Sequence, residues 1–197
     1  MAEYAEVALV GRLAETFARQ AAKATLRLTP VTGAEVARQL DNGAIEVAVA
    51  RLGALPAHLD AMVLLRDPFV LIARRGHPRA AQSLSIEAYA ALNHVLVSPH
   101  GDSIGAVDRA LADFGLKRRI ALLVATYLAL PAALAASDLV ATVPRRTAQQ
   151  IAATAEIETM PLPIDLYVTV SMAWHRRATS EPAQAWFRSL LIEAAGD

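Results

Sequence analysis

The sequence contains no cysteine, which excludes disulfide bonds, thiol catalysis and cysteine-ligated zinc. It also lacks any uninterrupted run of about 18 apolar residues, the length that a membrane-spanning helix needs. The N-terminal stretch MAEYAEVALV carries acidic residues where a secretory signal peptide carries basic ones. These absences together favour a cytoplasmic protein with no membrane partner.

A charge excess of either sign is missing as well. Lysine plus arginine number 19, and aspartate plus glutamate also number 19, so the formal net charge is zero. Domains that bind nucleic acids generally carry a basic excess, because affinity depends on contacts to phosphates. We therefore expect that this segment does not bind DNA directly.

The motifs of the common catalytic and nucleotide-binding sites are absent too: GxSxG, GxxxxGK[ST], GxGxxG and HExxH. Ser98, His100 and Asp102 have the residue types of a catalytic triad, but they alternate within one short loop. A working triad needs a base that reaches the nucleophile and a third group that orients the base. His77 and His94 lack the spacing of metal ligands. The sequence thus predicts no enzyme, no metal site and no cofactor.

What the chain does have is an apolar fraction of 55%, enough for a substantial core. Residues 94–124 show its clearest pattern, a strand at 94–97, a polar loop at 98–103, a helix and a strand at 120–124. The helix is expected to end at Gly115 and to bury four residues at helical spacing, Ile104, Val107, Leu111 and Phe114. In open α/β sheets, ligands bind beyond the carboxyl ends of the strands, so the 98–103 loop is the first candidate site, suited to anionic ligands.

The first third of the chain repeats the alternation of strand and helix. We predict a helix at 7–22 with Val10, Leu13, Phe17 and Ala21 on one face, a strand at 25–30, and a strand at 45–50. Between the two strands, Thr32 and Glu35 have the spacing of a capping box that opens a helix. This rhythm is typical of a parallel sheet.

Proline marks two places where the chain is expected to cross between lobes. Residues 61–75 form a long apolar segment interrupted by Asp67-Pro68, which predicts two strands joined by a kink. Pro161 and Pro163 mark the second crossing. The pattern fits two α/β lobes with a ligand in the cleft between them, and an amphipathic helix after Pro182 closes the chain.

Four stretches carry a resemblance to a known family: LLRDPFVLIARRGHP, HVLVSPHGDSIGAVDRALADFGLKRRIALLV, ASDLVATVPRR and PLPIDLYVTVSMAWHRRATSEPAQAWFRSLL. Together they resemble the effector-binding domain of LysR-type transcriptional regulators. The branch they resemble contains regulators of nodulation and of aromatic catabolism. The resemblance covers almost the whole chain, beginning near Glu3.

The resemblance implies two Rossmann-like lobes of the type-2 periplasmic-binding-protein kind, residues 1–66 plus 164–197 and residues 67–163. It implies a small aromatic or carboxylated effector in the interlobe cleft and a homodimer or higher oligomer. DNA would be bound only through an N-terminal winged helix-turn-helix that this chain lacks. Met1 falls where the first strand of the family should be under way, so we expect the first lobe to lack part of that strand.

The effector contacts implied by the resemblance fall in five places. They are Tyr4, Thr32 with Gly33, the loop residues Ser98, Pro99, His100 and Gly101, then Thr126 with Tyr127, and Met172 with Trp174 on the returning strand. Each has a simpler structural explanation beside the functional one: a solvated loop, a helix cap or core packing.

Two other functions are compatible with the same fold. A free-standing solute-binding protein for transport would share the two lobes, although the chain shows no leader. A truncated regulator that acts only by dimerising with a full-length relative is the other.

Overall fold

The computed structural model describes residues 1–79, 83–99 and 101–196. They form two compact units, Met1–Arg66 with Thr169–Asp197 and Asp67–Val168. The sequence placed the unit boundaries at 66/67 and 163/164, and the structure has them at 66/67 and 168/169. The helices and strands in chain order are α1 (Glu3–Gln20), α2 (Val36–Asp41), β1 (Val47–Ala50), β2 (Leu59–Arg74), α3 (Ile86–Ala90), β3 (Asn93–Val97), α4 (Ala106–Ala112), β4 (Arg119–Val124), α5 (Leu130–Ala135), β5 (Val140–Pro144), α6 (Arg145–Ala152), β6 (Ile157–Met160), β7 (Tyr167–His175) and α7 (Pro182–Ala195).

Strands β2 and β7 each contain a boundary between the units, so the chain passes from one unit to the other within a strand. The prediction of two kinked strands at 61–75 is wrong, because β2 is one strand of 16 residues. Its pairing with β5 begins at Phe69, one residue after Pro68. The N–H that Pro68 lacks is therefore not needed for that ladder.

The second unit is a sheet with apolar residues on both faces. Strand β3 is parallel to β4 and β5, and β2 is antiparallel to β5 and β6. Val70 and Ile72 of β2 pack with residues of α5 and α6, whereas Leu71 and Ala73 pack with residues of α3 and α4. Successive side chains of a strand point to opposite faces, so helices cover the sheet on both sides.

The predicted strand–loop–helix–strand of residues 94–124 is present as β3, α4 and β4. Gly115 has φ +69°, as expected of a left-handed helix stop. The helix is shorter than predicted, however, and it buries only Val107 and Leu111. Ile104 and Phe114 lie outside it and are 65% and 60% exposed, so their assignment to the buried face is wrong.

The first unit packs two helices and a short sheet. Helix α1 begins at Glu3, earlier than predicted, and buries Ala5, Leu9, Leu13 and Thr16, while Val10 of the predicted face is exposed. Helix α1 packs beside α7, with the rings of Phe17 and Trp186 6.1 Å apart. A second cluster unites Val31, Val36, Leu40, Ala48, Leu59 and Ala173.

The sheet of the first unit differs from the predicted parallel one. Strand β1 is antiparallel to β7, with Val47 opposite Trp174 and Val49 opposite Met172. Residues 25–30, predicted as a strand, form no strand. A strand requires a neighbour for its backbone hydrogen bonds. Among the described residues, this segment is bonded through Thr29 O, which accepts from the amino group of Met1 over 2.5 Å. Among the described helices, none is both long enough and apolar enough to cross a membrane.

Candidate functional site

The carboxyl ends of β3 and β4 bring two predicted site segments together. The strands are parallel neighbours with Val97 opposite Val124, and Ser98 donates its backbone N–H to Val124 O over 2.8 Å. The segments that follow, Ser98 onwards and Thr126 onwards, therefore leave the same edge of the second unit side by side. This is the edge at which α/β sheets bind ligands.

The loop after β3 begins with a turn. Ser98 is 9% exposed, and its carbonyl accepts a hydrogen bond from the N–H of Gly101, 3.2 Å. Gly101 has φ +80°, a conformation that favours glycine. Pro99 is exposed, and His100 lies outside the described residues. The turn places Ser98 at the edge of the sheet, and the N–H groups of Ser98 and Gly101 are both bonded within the protein.

The segment after β4 adds a hydroxyl and an aromatic ring. Thr126 is exposed and precedes a single turn of 3₁₀ helix, Tyr127–Ala129, in which Ala129 N–H donates to Thr126 O. Tyr127 is half-buried and packs against the cluster formed by β2, α5 and α6. Hydroxyl groups beside an aromatic ring suit a small ligand that combines an apolar body with a carboxylate or hydroxyl group.

Asp67, which the sequence does not single out, lies at the carboxyl end of a third strand, β5, at this edge. Asp67 is 4% exposed, and its carboxylate accepts the N–H of Arg146 in the first turn of α6, 3.0 Å. A carboxylate suits the positive end of a helix. The protein thus caps α6 with its own anion. The sequence signal for this cap is the Asp67-Pro68 pair, which by itself predicts only a break in the strand.

Three of the predicted contacts lie in the N-terminal part of the first unit. Tyr4 is half-buried in the first turn of α1, rather than in a strand-to-helix turn. The predicted capping box does not form, because α2 begins after Glu35 and Thr32 Oγ1 donates instead to Glu35 Oε2, 3.0 Å. The backbone of Gly33 lies so close to the backbone of Arg51 that a Cβ added at Gly33 would be 2.9 Å from Arg51 O.

Met172 and Trp174, predicted as ligand contacts on the returning strand, have structural partners. Met172 is 1% exposed within β7. Trp174 donates from Nε1 to Thr179 Oγ1, 2.9 Å, and the guanidinium of Arg188 lies 4.7 Å from the centre of its ring. Arg188 is itself buried and donates to the carbonyl oxygens of Ala178 and Thr179. This cation–π contact was not foreseen.

Hydrogen bonds at the same end of the first unit also hold Asp60. The hydroxyl of Thr179 and the Nε of Arg176 donate to its two oxygens over 2.9 and 3.0 Å. These bonds, from Thr179 first and then from Arg176, hold the pKa of Asp60 below its ordinary value. The group ties β2 to the chain that follows β7.

Asp41, His58 and His175 form the one cluster of possible metal ligands among the described residues. Their ligand atoms lie within 4.8 Å of one another, and His58 Nε2 lies 2.8 Å from Asp41 Oδ1. His175 Nδ1 already accepts the N–H of Arg177, 3.2 Å, which engages one of its two ring nitrogens. The sequence did not single out this cluster, because its members are far apart in the chain.

A buried polar cluster lies between α3, α4 and the sheet of the second unit. Arg118, whose side chain is 2% exposed, donates to both carboxylate oxygens of Asp108 over 2.8 and 2.9 Å. Asp108 also accepts the N–H of Gly105 at the start of α4. Burial alone would raise the pKa of Asp108, but the hydrogen bonds from Arg118 and Gly105 outweigh it and lower the pKa.

His94 also belongs to this cluster. It is fully buried, with its ring edge-on to Tyr89 at 4.8 Å and its Nε2 donating to Tyr89 O, 3.0 Å. Burial, and then the charge of Arg118, lower the pKa of His94 to about 4, so the ring is neutral at pH 7. Its Nδ1 has no hydrogen-bond partner among the described residues.

Comparison with known proteins gives one consistent family. The LysR substrate binding domain family matches residues 1–196. HTH-type transcriptional regulator SyrM of Rhizobium meliloti (strain 1021) is 35% identical over 158 residues, which are 79% of this chain and 48% of SyrM. HTH-type transcriptional activator NahR of Pseudomonas putida is 28% identical over 198 residues, covering 100% of this chain and 66% of NahR.

A solved structure gives the same result for the fold. The regulatory domain of MexT, a transcriptional activator in Pseudomonas aeruginosa, is similar with a TM-score of 0.86 at 28% identity, covering 98% of this chain and 96% of that one. The α/β periplasmic-binding-protein-like fold predicted from the sequence is thereby confirmed. The relatives are regulators of transcription and not enzymes, as the missing catalytic motifs indicated. The chain spans about half to two thirds of the length of these two regulators.

Proposed function

The chain belongs to the LysR substrate binding domain family, and from that premise we propose that it senses a small effector for a transcriptional regulator. The observation that carries the proposal is the parallel pairing of β3 with β4, which brings Ser98 and Thr126 to one edge of the second unit. In an α/β sheet this edge is the usual place for ligands. DNA contact would belong to a part of the regulator outside this chain.

The effector is a small molecule with an aromatic or other apolar body and a carboxylate or phenolic group. The hydroxyls of Ser98 and Thr126 would orient the polar group. The ring of Tyr127 supplies an apolar wall. The resemblance to regulators of aromatic catabolism supports the same ligand class, and Thr32, Gly33, Tyr4, Met172 and Trp174 stay predictions.

The experiment is a thermal-shift screen of aromatic carboxylates and phenols, followed by titration calorimetry of the compounds that bind. A ligand at a hundredfold excess over its Kd stabilises the folded protein by about 2.7 kcal/mol. If no aromatic acid or phenol shifts Tm at millimolar concentration, the proposed ligand class is wrong.

Two hydroxyl deletions locate the site. Ser98→Ala and Thr126→Val each remove one hydrogen bond to the ligand, and the expected loss of affinity is about tenfold for each. Ser180→Ala, an exposed serine of the first unit, is the matched control and should bind normally. Unchanged affinity in both Ser98→Ala and Thr126→Val would move the site away from this edge.

We also propose that the regulator acts in the cytoplasm as a homodimer or larger oligomer. The edge strand β4 supports self-association, because Leu122 and Leu123 are each 38% exposed and Leu128, just beyond the strand, is 87% exposed. Exposed apolar patches of this kind are typical of protein interfaces. Sedimentation velocity should give at least a dimer, and Leu123→Glu should shift the distribution towards the monomer.

A further inference from the structure

The cluster of Asp41, His58 and His175 lies where three elements of the first unit end or begin. Asp41 is the last residue of α2, His58 immediately precedes β2, and His175 is the last residue of β7. One ligand atom from each side chain lies within 4.8 Å of the other two. None of the three residues belongs to the proposed effector site, so the cluster requires an explanation of its own.

The main chain holds the two histidines side by side. Arg176 donates its backbone N–H to His58 O over 2.9 Å, which fixes the start of β2 beside the end of β7. The imidazole rings that follow from this pairing have their centres 5.4 Å apart, with their planes tilted by 39°. Because the backbone bond brings the two residues together, the proximity of the rings does not depend on side-chain rotamers alone.

The third side chain approaches from the end of α2. Asp41 Oδ1 lies 2.8 Å from Nε2 of His58, and Asp41 O accepts a hydrogen bond from the guanidinium of Arg177, 3.4 Å. The side chains of His58 and Asp41 are 48% and 45% exposed. An exposed pair of this kind contributes little to stability, because water screens it and ordering the side chains costs entropy.

Two imidazoles and one carboxylate are a donor set that binds Zn²⁺, with a fourth position left for water. Ligand atoms lie about 2.1 Å from the ion, so two ligands of one ion are at most about 4.2 Å apart. The ligand atoms of Asp41, His58 and His175 lie within 4.8 Å of one another, and exposed side chains can close such a gap by small rotations. The spacing therefore suits a single ion that solvent reaches.

The charges around the cluster select the kind of ion. Arg176 Nε donates to Asp60 Oδ1 over 3.0 Å, and the guanidinium of Arg177 lies at the carbonyl of Asp41. These two cations balance the carboxylates of Asp41 and Asp60, so the negative excess that suits Ca²⁺ or Mg²⁺ is missing. Affinity has to come from the imidazole nitrogens, which favour Zn²⁺, Ni²⁺ and Cu²⁺.

Metal binding at His175 would break one hydrogen bond. Nδ1 of His175 accepts the backbone N–H of Arg177 over 3.2 Å. An ion at Nδ1 uses the same lone pair, whereas an ion at Nε2 leaves the ring proton on Nδ1. The N–H of Arg177 loses its acceptor in either case, and since Arg177 is exposed, water can replace it. Binding thus has a signature at a backbone amide that is not itself a ligand.

We propose that Asp41, His58 and His175 form a binding site for one divalent transition-metal ion of the Zn²⁺ type. The ion joins the end of α2 to the ends of β2 and β7 within the first unit. It is a second ligand of the domain, and its binding does not require the proposed effector.

The test is calorimetric titration of the full chain, freed of metal with EDTA and dialysed, with ZnCl₂ and separately with MgCl₂. One Zn²⁺ per chain should bind at micromolar concentration, and Mg²⁺ should not bind. His58→Gln, His175→Gln and Asp41→Asn should each weaken Zn²⁺ binding at least tenfold. Asp165→Asn removes an exposed carboxylate of the second unit and should bind Zn²⁺ as the wild type does.

Two results of the titration would overturn the proposal. One is the absence of Zn²⁺ binding below millimolar concentration. The other is an unchanged Zn²⁺ affinity in all three ligand variants, which would place the bound ion elsewhere on the chain.

NMR spectra of the ¹⁵N-labelled protein locate the ion independently of affinity. Zn²⁺ should shift the amide signal of Arg177 and speed its hydrogen exchange, because its bond to His175 is lost. The amide of Arg79 is an internal control, since it donates to Nδ1 of His77 over the same 3.2 Å in the second unit. A Zn²⁺-dependent shift at Arg79 with none at Arg177 would contradict the proposed site.

Discussion

His94 should make the stability of the protein depend on pH between about 4 and 6.5. Burial holds its pKa at about 4 in the folded protein, against about 6.5 in an unfolded chain. The folded state therefore binds fewer protons than the unfolded state within this interval. Stability is fully present above pH 6.5 and is lost as the pH falls towards 4.

The magnitude follows from the two pKa values. The full difference corresponds to about 3 kcal/mol, and about 2 kcal/mol of it should already be lost at pH 5 relative to pH 8. Paired carboxylates such as Asp108 have lowered pKa values and weaken the fold mainly at lower pH. The region from pH 8 to pH 5 therefore reports on His94 and on the amino group of Met1, whose pKa is also lowered by burial. The difference between the wild type and a His94 variant isolates the part that belongs to His94.

The assay is urea unfolding of the wild type and of His94→Gln at pH 8, 7, 6 and 5. Glutamine can keep an N–H donor for Tyr89 O but does not titrate, so the variant should lose about 2 kcal/mol less than the wild type between pH 8 and pH 5. Val107→Ala, which removes buried apolar volume from the same helix layer, is the control. It should be less stable at every pH with the wild-type pH dependence. Parallel profiles for His94→Gln and the wild type would refute the reasoning, as would an NMR titration of His94 near 6.5.

Two further predictions concern close contacts. Asp108→Asn leaves the buried guanidinium of Arg118 without its counter-charge, and the free energy of unfolding measured by urea titration should fall by about 3 kcal/mol or more. The double variant Asp108→Asn with Arg118→Met should be more stable than Asp108→Asn alone. A less stable double variant would contradict the ion-pair argument. Gly33→Ala brings a Cβ to 2.9 Å from Arg51 O and should lower Tm by several degrees, equivalent to a loss of about 1–3 kcal/mol in the free energy of unfolding. Gly53→Ala is the control, because the space around Gly53 is open, and it should change Tm far less.

The second unit could be predicted largely from local patterns. Apolar runs mark β3, β4 and β5, and the parallel order places the loops after β3 and β4 at one edge. The ends of α4 could not be predicted in the same way. The helix begins where Gly105 donates its N–H to Asp108, and it ends at Ala112. Ile104 and Phe114 fit the helical period, but they lie beyond those ends.

The first unit was harder to predict because its sheet depends on which segments find partners. Residues 25–30 have the composition and alternation of a strand, and they form none without a neighbouring strand. The buried stripe of α1 runs through Ala5, Leu9 and Leu13, and it is offset from the predicted face, whose Val10 is exposed.

The contacts of the buried polar residues could not be predicted from the sequence either. The helix-capping role of Asp67, the ion pair of Arg118 and the stacking of Arg188 on Trp174 each join residues that are separated in sequence. A charged residue in a sequence suggests an exposed position by default. The burial of these residues becomes evident only once their partners are brought beside them by the fold.

The discontinuity of the first unit has a consequence for synthesis on the ribosome. Residues 67–168 are contiguous and can begin to fold as soon as they emerge, whereas α1 must wait for α7, which is translated after them. Until then the apolar stripe of α1 around Leu9 and Leu13 lacks that partner and is available to chaperones or to aggregation. Slowing translation after residue 168 should therefore prolong a nascent state in which residues 67–168 are ordered before residues 1–66.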